Sequence, residues 1–234
     1  MRIRWPALAS LADLTSPEVA TLAAGGAVLA VPLGSTEQHG AHLPLSTDTD
    51  IAVALCSALA ARRDDVVIAP PVPYGSSGEH AGFAGTLSIG QGAIEQVVLE
   101  LGRSACETFA HVLFVSAHGG NGVPVSRAVD RLQYEGRDVS LFQPNWDGDA
   151  HAGHTETSLQ LVLRPAAVRT DRAVAGDIRP LAELLPALRG GGVLAVTATG
   201  VLGDPTTASA SSGRATLTAL ADDLLAHVTT WLTP

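Results

Sequence analysis

Short runs of uninterrupted apolar residues, separated by segments with helical periodicity, constrain the fold of this chain more than any other feature. A strand that is apolar at every position is typical of a parallel sheet buried on both faces by helices. We therefore expect an α/β fold in the form of a single-domain, three-layer sandwich with a mostly parallel central sheet. The predicted strands cover residues 27–33, 66–69, 112–115 and 139–142, with another near 193–196.

Helices are predicted between these strands from apolar periodicity and from signals at helix ends. Ser16-Pro17 is typical of a helix start and Gly25-Gly26 of its end. Asp50 is predicted to cap the next helix. The Gly- and Ser-rich residues 74–90 are predicted to form a long irregular loop of the kind that carries function. Further helices are predicted over about 50–62, 93–110, 123–134 and 156–163, with a last one ending near 231.

Length and charge limit the classes of partner. The chain has 234 residues, which favours one domain over residues 1–234. Its 23 acidic residues outnumber 14 basic ones, all of them Arg, so neither nucleic acid nor an anionic membrane is an expected partner. No apolar run approaches the roughly 20 residues of a membrane helix, and a cytoplasmic location is expected. Cys56 and Cys106 are too few for a disulfide framework or a cysteine metal site.

Histidines and carboxylates concentrate where predicted strands end. Glu37 and His39 follow the first strand, Asp48 lies a few residues on, and His118 follows the third strand. In an open α/β sheet, ligands bind outside the carboxyl ends of the strands, so we expect these loops to face one crevice. Imidazole and carboxylate together suit Zn²⁺, Mn²⁺ or Fe²⁺, and the lack of cysteine disfavours a structural zinc site. Any one of these residues alone would equally suit a turn or a helix cap.

Several nearby residues allow two interpretations. His42 is either a ligand or, as we favour, a buried side chain that orients a neighbour. Glu79 and His80 either line the pocket or hold their loop. The glycines of 119–122 lack the spacing of a phosphate-binding loop and are expected to let the backbone approach a bound oxygen closely.

The segment HAGHTETS adds a carboxylate and two imidazoles to the candidate site. Glu156 lies in the first turn of a predicted helix, where an acid is common because of the helix dipole. Glu156 becomes a ligand candidate because the four candidate ligands described above leave the coordination of a metal incomplete. His151 and His154 can both carry protons near neutral pH, and their spacing does not distinguish them.

The motifs STEQHGAHLPLSTDTD, AHGGN and HAGHTETS, in this order, resemble the creatininase family of metal-dependent amidohydrolases over residues 28–158. The resemblance implies an α/β fold, a symmetric homo-oligomer such as a hexamer, and two divalent metal ions per subunit, either Zn, Fe or Mn. It places Glu37 and His118 on one metal, His39 on the other and Asp48 between them, with Glu156 completing the set. His151 matches the family's catalytic histidine, and Glu156 is assigned to the catalytic group as well.

Softer motifs, among them GSSGEHAGFAGTLSIG and TGVLGDPTTAS, resemble a peptide-cleaving branch of this family. Its substrate is a ribosomal precursor peptide with an oxidatively decarboxylated C-terminal Val-Tyr, which is released as a modified dipeptide. The implied mechanism is attack of a metal-activated water on the amide carbonyl, with His151 protonating the departing amine. Gly119-Gly120 replaces the Tyr-Glu of creatininase, so creatinine hydrolysis is not expected. The alternatives are hydrolysis of a small cyclic amide or a formamide, and a non-catalytic binding protein.

Overall fold

Five parallel strands form one open sheet in the computed structural model, which describes residues 9–145 and 148–233. The strands are β1 Ala9–Ser10, β2 Val28–Leu33, β3 Val66–Ile68, β4 His111–Ser116 and β5 Val139–Phe142. The strand order is β1-β3-β2-β4-β5, and β2 pairs with β3 on one side and β4 on the other. The predicted α/β class with a parallel sheet is therefore confirmed.

Helices cover both faces of the sheet and divide the core into two layers. The helices are α1 Ser16–Ala24, α2 Thr47–Ala60, α3 Gly90–Ala105, α4 Gly122–Tyr134, α5 His154–Leu163, α6 Leu181–Gly191 and α7 Ala210–Leu232. Alternate residues of β2 point to opposite faces, so Leu29 belongs to the core layer that contains residues of α1, α3 and α4, whereas Ala30 belongs to the layer that contains residues of α2, α5 and α7. No helix in the described part of the chain is long and apolar enough to cross a bilayer.

Two predicted features are wrong. Residues 193–196 do not form a strand: Val193–Ala195 is a short 3-10 turn after α6, and Val193 packs with Leu184 and Leu202 outside the sheet. Asp50 does not cap α2, because the helix begins at Thr47 with Ser46 in the capping position. Asp50 instead accepts a hydrogen bond from the Ser46 hydroxyl, 2.9 Å away.

The pairing of β2 with β4 determines where the site lies. Leu33 and Ser116, the last residues of these strands, are register partners, so both strands end at the same level of the sheet. The loop of residues 34–46 and the turn that begins at residue 117 therefore leave from one edge. This juxtaposition is what the sequence predicted for the ends of parallel strands.

Candidate metal centre and active site

Asp48 lies at the centre of the residues predicted as ligands. It lies in the first turn of α2, with Oδ1 3.1 Å from His39 Nε2 and Oδ2 3.1 Å from His118 Nδ1. Glu37, from the loop after β2, places Oε2 3.4 Å from His118 Nε2. These four side chains are between 0 and 5 % exposed. The two loops thus bring the four residues together in the interior.

Glu156 joins this cluster from α5, more than a hundred residues after Asp48 in the chain. Its Oε1 lies 3.8 Å from His39 Nε2, and its Oε2 accepts a hydrogen bond from the backbone N–H of Ala152. One oxygen is held by the backbone, so the other is directed at the cluster.

The donor atoms form three groups that could each hold a metal ion. One group is Glu37, Asp48 and His118; a second is His39, Asp48 and Glu156. Asp48 belongs to both groups. The third group contains Glu37, His39 and His151, so the structure also brings His151 within reach of a metal.

The histidine tautomers suit metal binding. His118 Nε2 donates to the carbonyl of Ser76 at 2.9 Å, and His39 Nδ1 donates to the carbonyl of Glu37 at 3.1 Å. Because a carbonyl only accepts, each of these nitrogens carries a proton, and the other ring nitrogen faces Asp48, where it would ligate an ion when one is bound. Metal-binding histidines are typically oriented in this way.

The charges also fit a bound cation. Burial and the neighbouring Asp48 raise the pKa of Glu37 to about 7, and burial raises that of Glu156 to about 6. Glu37 Oε2 accepts no hydrogen bond from any described residue. Burial opposes protonation of His39, yet Asp48 and Glu156 raise its pKa to about 10. Among the described residues, no Arg pairs with these three buried carboxylates, and divalent ions would supply the positive charge that they need.

The structure separates His151 from His154. His151 is buried, its Nε2 lies 2.8 Å from the carbonyl oxygen of Gln38, and its Nδ1 lies 3.7 Å from Glu37 Oε1. Burial, helped by the charge of His39, holds its pKa well below the usual value, so the ring is neutral. The ring of His154 instead bonds Thr207 Oγ1 at 2.9 Å, outside the cluster.

The less certain sequence candidates lie around the cluster. His42 is buried, bonds Thr157 Oγ1 through Nε2 at 2.9 Å, and belongs to none of the three donor groups. His80 lies 3.4 Å from Glu37 Oε1, and Glu79 Oε1 lies 3.9 Å from His118 Nε2, so both line the cavity. Gly120 lies so close to Ser76 and His118 that a Cβ there would collide with both.

Sequence reasoning missed Gln38 and gave no role to Asp149. Gln38 Nε2 lies 2.7 Å from His80 Nδ1 and 3.1 Å from the carbonyl oxygen of Gly200. Its position between two candidate ligands was the available signal. Asp149 accepts hydrogen bonds from the start of α5 and from Asp204 N–H. Nothing in its local sequence indicates these distant partners.

A cavity of about 670 Å³ opens above the cluster. The cluster forms one wall, to which Glu37, Asp48, His118, His151 and Glu156 contribute. A second wall comes from α6 and is mostly apolar; it consists of Leu181, Leu185, Leu188 and Arg189, continued by Val193 and Leu202.

Known proteins resemble this chain along most of its length. A family model described as Creatininase: Creatinine amidohydrolase matches residues 12–228. A Mycofactocin precursor peptide peptidase of Mycobacterium ulcerans is 48% identical over 97% of this chain and 94% of its own length. One of Mycolicibacterium smegmatis is 53% identical over 78% and 76%. A solved mutant creatininase of Zn-Zn type has a TM-score of 0.83 at 25% identity and covers 96% of this chain and 98% of its own.

Proposed function

The chain belongs to the creatininase family of metal-dependent hydrolases that act on C–N bonds, and from this premise we propose that it is a mycofactocin precursor peptide peptidase. The proposed reaction is hydrolysis of the amide bond that precedes the modified C-terminal Val-Tyr. The product is the modified dipeptide. The names and identities of the relatives support this substrate.

The size and lining of the cavity carry the choice of a peptide over a small amide. A volume of about 670 Å³ lies in the range of pockets that enclose drug-sized ligands, and a small cyclic amide would fill only a fraction of it. The apolar side chains of Leu181, Leu185 and Leu188 line the same space as the cluster. They offer contact area to the valine and tyrosine side chains of a peptide end.

We assign two divalent ions to the donor groups that share Asp48. Glu37 and His118 would hold one ion with Asp48, and His39 and Glu156 the other. Zn, Fe and Mn all suit these ligands, and the solved relative of Zn-Zn type supports zinc. Such ions, when bound, supply a nucleophilic water at neutral pH and polarise the scissile carbonyl.

His151 is the proton carrier in this proposal. Its Nε2 donates to the carbonyl of Gln38, which leaves the lone pair of Nδ1 on the side of Glu37 and the cavity. A neutral imidazole at this place would accept a proton from the attacking water at Nδ1 and pass it to the nitrogen of the departing amine. Glu156 has one oxygen held by Ala152, which favours a ligand role over proton transfer.

Cleavage assays with three substrates test the proposal. The purified enzyme, loaded with Zn²⁺ or Fe²⁺, is incubated with the modified peptide, the unmodified peptide and a small cyclic amide. Mass spectrometry is expected to show release of the modified dipeptide, with slow cleavage of the unmodified peptide. Faster hydrolysis of the cyclic amide would contradict the peptide assignment. A chain that binds no metal and cleaves nothing would be a binding protein.

We further propose that residues 1–234 form one domain that works as a symmetric homo-oligomer in the cytoplasm. Membership of the creatininase family supports an assembly. Both cysteines are unpaired, which is typical of a reducing compartment. Native mass spectrometry tests the oligomeric state.

A further inference from the structure

We propose that Asp149 is a positioning residue for the active site, because its carboxylate ties together the three segments that place His151 and Glu156. Asp149 lies in the loop before α5, is half-buried and lines the cavity. It contributes to none of the three groups of possible metal ligands. The inference rests on the proposed function only for its effect on the reaction rate.

The carboxylate of Asp149 serves as the missing cap of α5. The residue in the capping position is Gly153, which has no side chain to accept the first free N–H groups of the helix. Asp149 Oδ2 accepts from His154 N–H at 2.5 Å, and Oδ1 accepts from the N–H and the hydroxyl of Thr155, each at 3.3 Å. A negative charge there also favours the helix dipole. The same helical turn carries Glu156.

The same carboxylate holds a second segment. Asp149 Oδ2 accepts from the N–H of Asp204 at 3.1 Å. Two residues earlier, Leu202 exchanges backbone hydrogen bonds with His151, of 3.2 and 2.9 Å. Asp149 therefore bonds the segment of Leu202 and Asp204, and this segment in turn bonds the backbone of His151.

Tight packing and an unusual backbone conformation indicate that this arrangement is specific. A Cβ at Gly153 or at Gly203 would collide with the Asp149 side chain, so glycine is required at both positions. Ala152 adopts a left-handed conformation with φ of 54°, which is rare outside glycine. This conformation aims its N–H at Glu156 Oε2. Such a conformation persists only where surrounding contacts hold it.

Zinc affinity and amide exchange in Asp149→Asn test the inference without any peptide. An amide group of the same shape replaces one accepting oxygen by a donor. We expect zinc affinity to fall by about 10- to 100-fold, as is typical when a group that orients a metal ligand is lost. Hydrogen exchange of the amides of His154 and Thr155 is expected to become faster. With the modified peptide, kcat should fall while KM stays unchanged.

Asp204→Asn is the matched control. It also removes one carboxylate charge, from the segment whose backbone bonds Asp149. The Asp204 carboxylate accepts from the N–H and the hydroxyl of Thr206 at 2.9 and 2.6 Å and does not line the cavity. We expect zinc affinity within about twofold of the wild type, since no ligand depends on this group. An equal loss in both variants, or wild-type zinc affinity in Asp149→Asn, would overturn the inference.

Thr155→Val provides a test if Asp149→Asn fails to fold. It removes only the hydroxyl that bonds Asp149 and keeps the shape of the side chain. Zinc affinity is expected to fall by a smaller factor, about 2- to 5-fold, because one of several hydrogen bonds is lost. Unchanged affinity and unchanged exchange would overturn the inference. A wrong peptide assignment would leave all these metal and exchange results intact.

Discussion

The two walls of the cavity differ in almost every physical property. On the cluster wall, Glu37 and Asp48 are 1 and 2% exposed, and the Ser35 hydroxyl donates a hydrogen bond that holds Asp48 in place. On the α6 wall, Leu181 is 47% exposed and Leu185 is half-buried. The cluster wall is polar and rigidly held, whereas the α6 wall is apolar and attached to the molecule mainly through buried Leu184. We infer that the cluster wall carries out the chemistry, whereas the α6 wall selects the substrate.

The reason lies in how each wall is supported. The cluster wall is built on loops from β2 and β4, the central strands of the sheet, whose side chains are buried on both faces. The α6 wall lies outside the two core layers and packs through a small cluster of Leu184, Val193 and Leu202. Segments with few buried contacts open at low free energy. Substitutions on the α6 wall should therefore leave the rest of the fold intact.

The largest effect is expected for Asp48→Ala on the cluster wall. Both donor groups lose a shared ligand, so activity should fall at least about 10³-fold, which corresponds to several kcal/mol of lost metal assistance. His39→Ala is expected to behave similarly. Metal analysis of the purified variants should show fewer than two ions per chain, with an unchanged circular dichroism spectrum.

Asp50→Ala is the control for Asp48→Ala. Asp50 lies in the same helical turn but bonds Ser46 and Arg164 instead of the cluster. Metal content should stay at the wild-type level. Two ions per chain in Asp48→Ala would show that Asp48 does not bridge them.

His151→Gln should give the next largest effect. Loss of a general acid or base typically costs 10²- to 10⁴-fold in rate, and metal should remain bound because all five proposed ligands of the cluster are intact. Kinetics and metal analysis of His154→Gln, whose ring faces Thr207, serve as the control and should match the wild type. If His151→Gln lost a metal ion, His151 would be a ligand, as the third donor group permits.

A smaller effect is expected for Gln38→Met. The side-chain amide that donates to His80 Nδ1 and to the carbonyl of Gly200 disappears, so the His80 ring loses part of its support. The rate should fall by about tenfold, at the lower end for groups that orient a catalytic site. Gln133→Met, which removes a contact to Val139 far from the site, should leave the rate unchanged. Equal rates in both variants would contradict this support.

The smallest effect is expected on the α6 wall, for Leu185→Ala. Losing part of a half-buried leucine contact should cost about 1 kcal/mol, which raises KM for the peptide about fivefold. The turnover rate should not change. Ile178→Ala, 74% exposed and outside the cavity, is the control. A fall in kcat as large as that of His151→Gln would remove the distinction between the two walls.

Several parts of the fold were beyond sequence reasoning. β1 contains only Ala9 and Ser10, which is too short to show any periodicity. Residues 193–196 are apolar like a buried strand, yet Val193 is buried by α6 and not by the sheet. A short apolar run indicates that a segment is buried but does not indicate which element buries it.

The sequence by itself determined the class of the sheet and which loops carry the chemistry. Continuous apolar runs leave few alternatives to buried parallel strands, and the residues that follow such strands share one edge. Glu37, His39 and His118 were therefore predictable as a group. The family resemblance implied Glu156 and His151, but the tertiary structure decided the contacts: α5 brings Glu156 to this group, the turn before α5 brings His151, and His154 faces Thr207 instead. The physical reason is that the turn between His151 and His154 separates their side chains, which a spacing of three residues does not reveal. The contact of Glu156 with His39, more than a hundred residues earlier, depends on how α5 packs against α2 and α7.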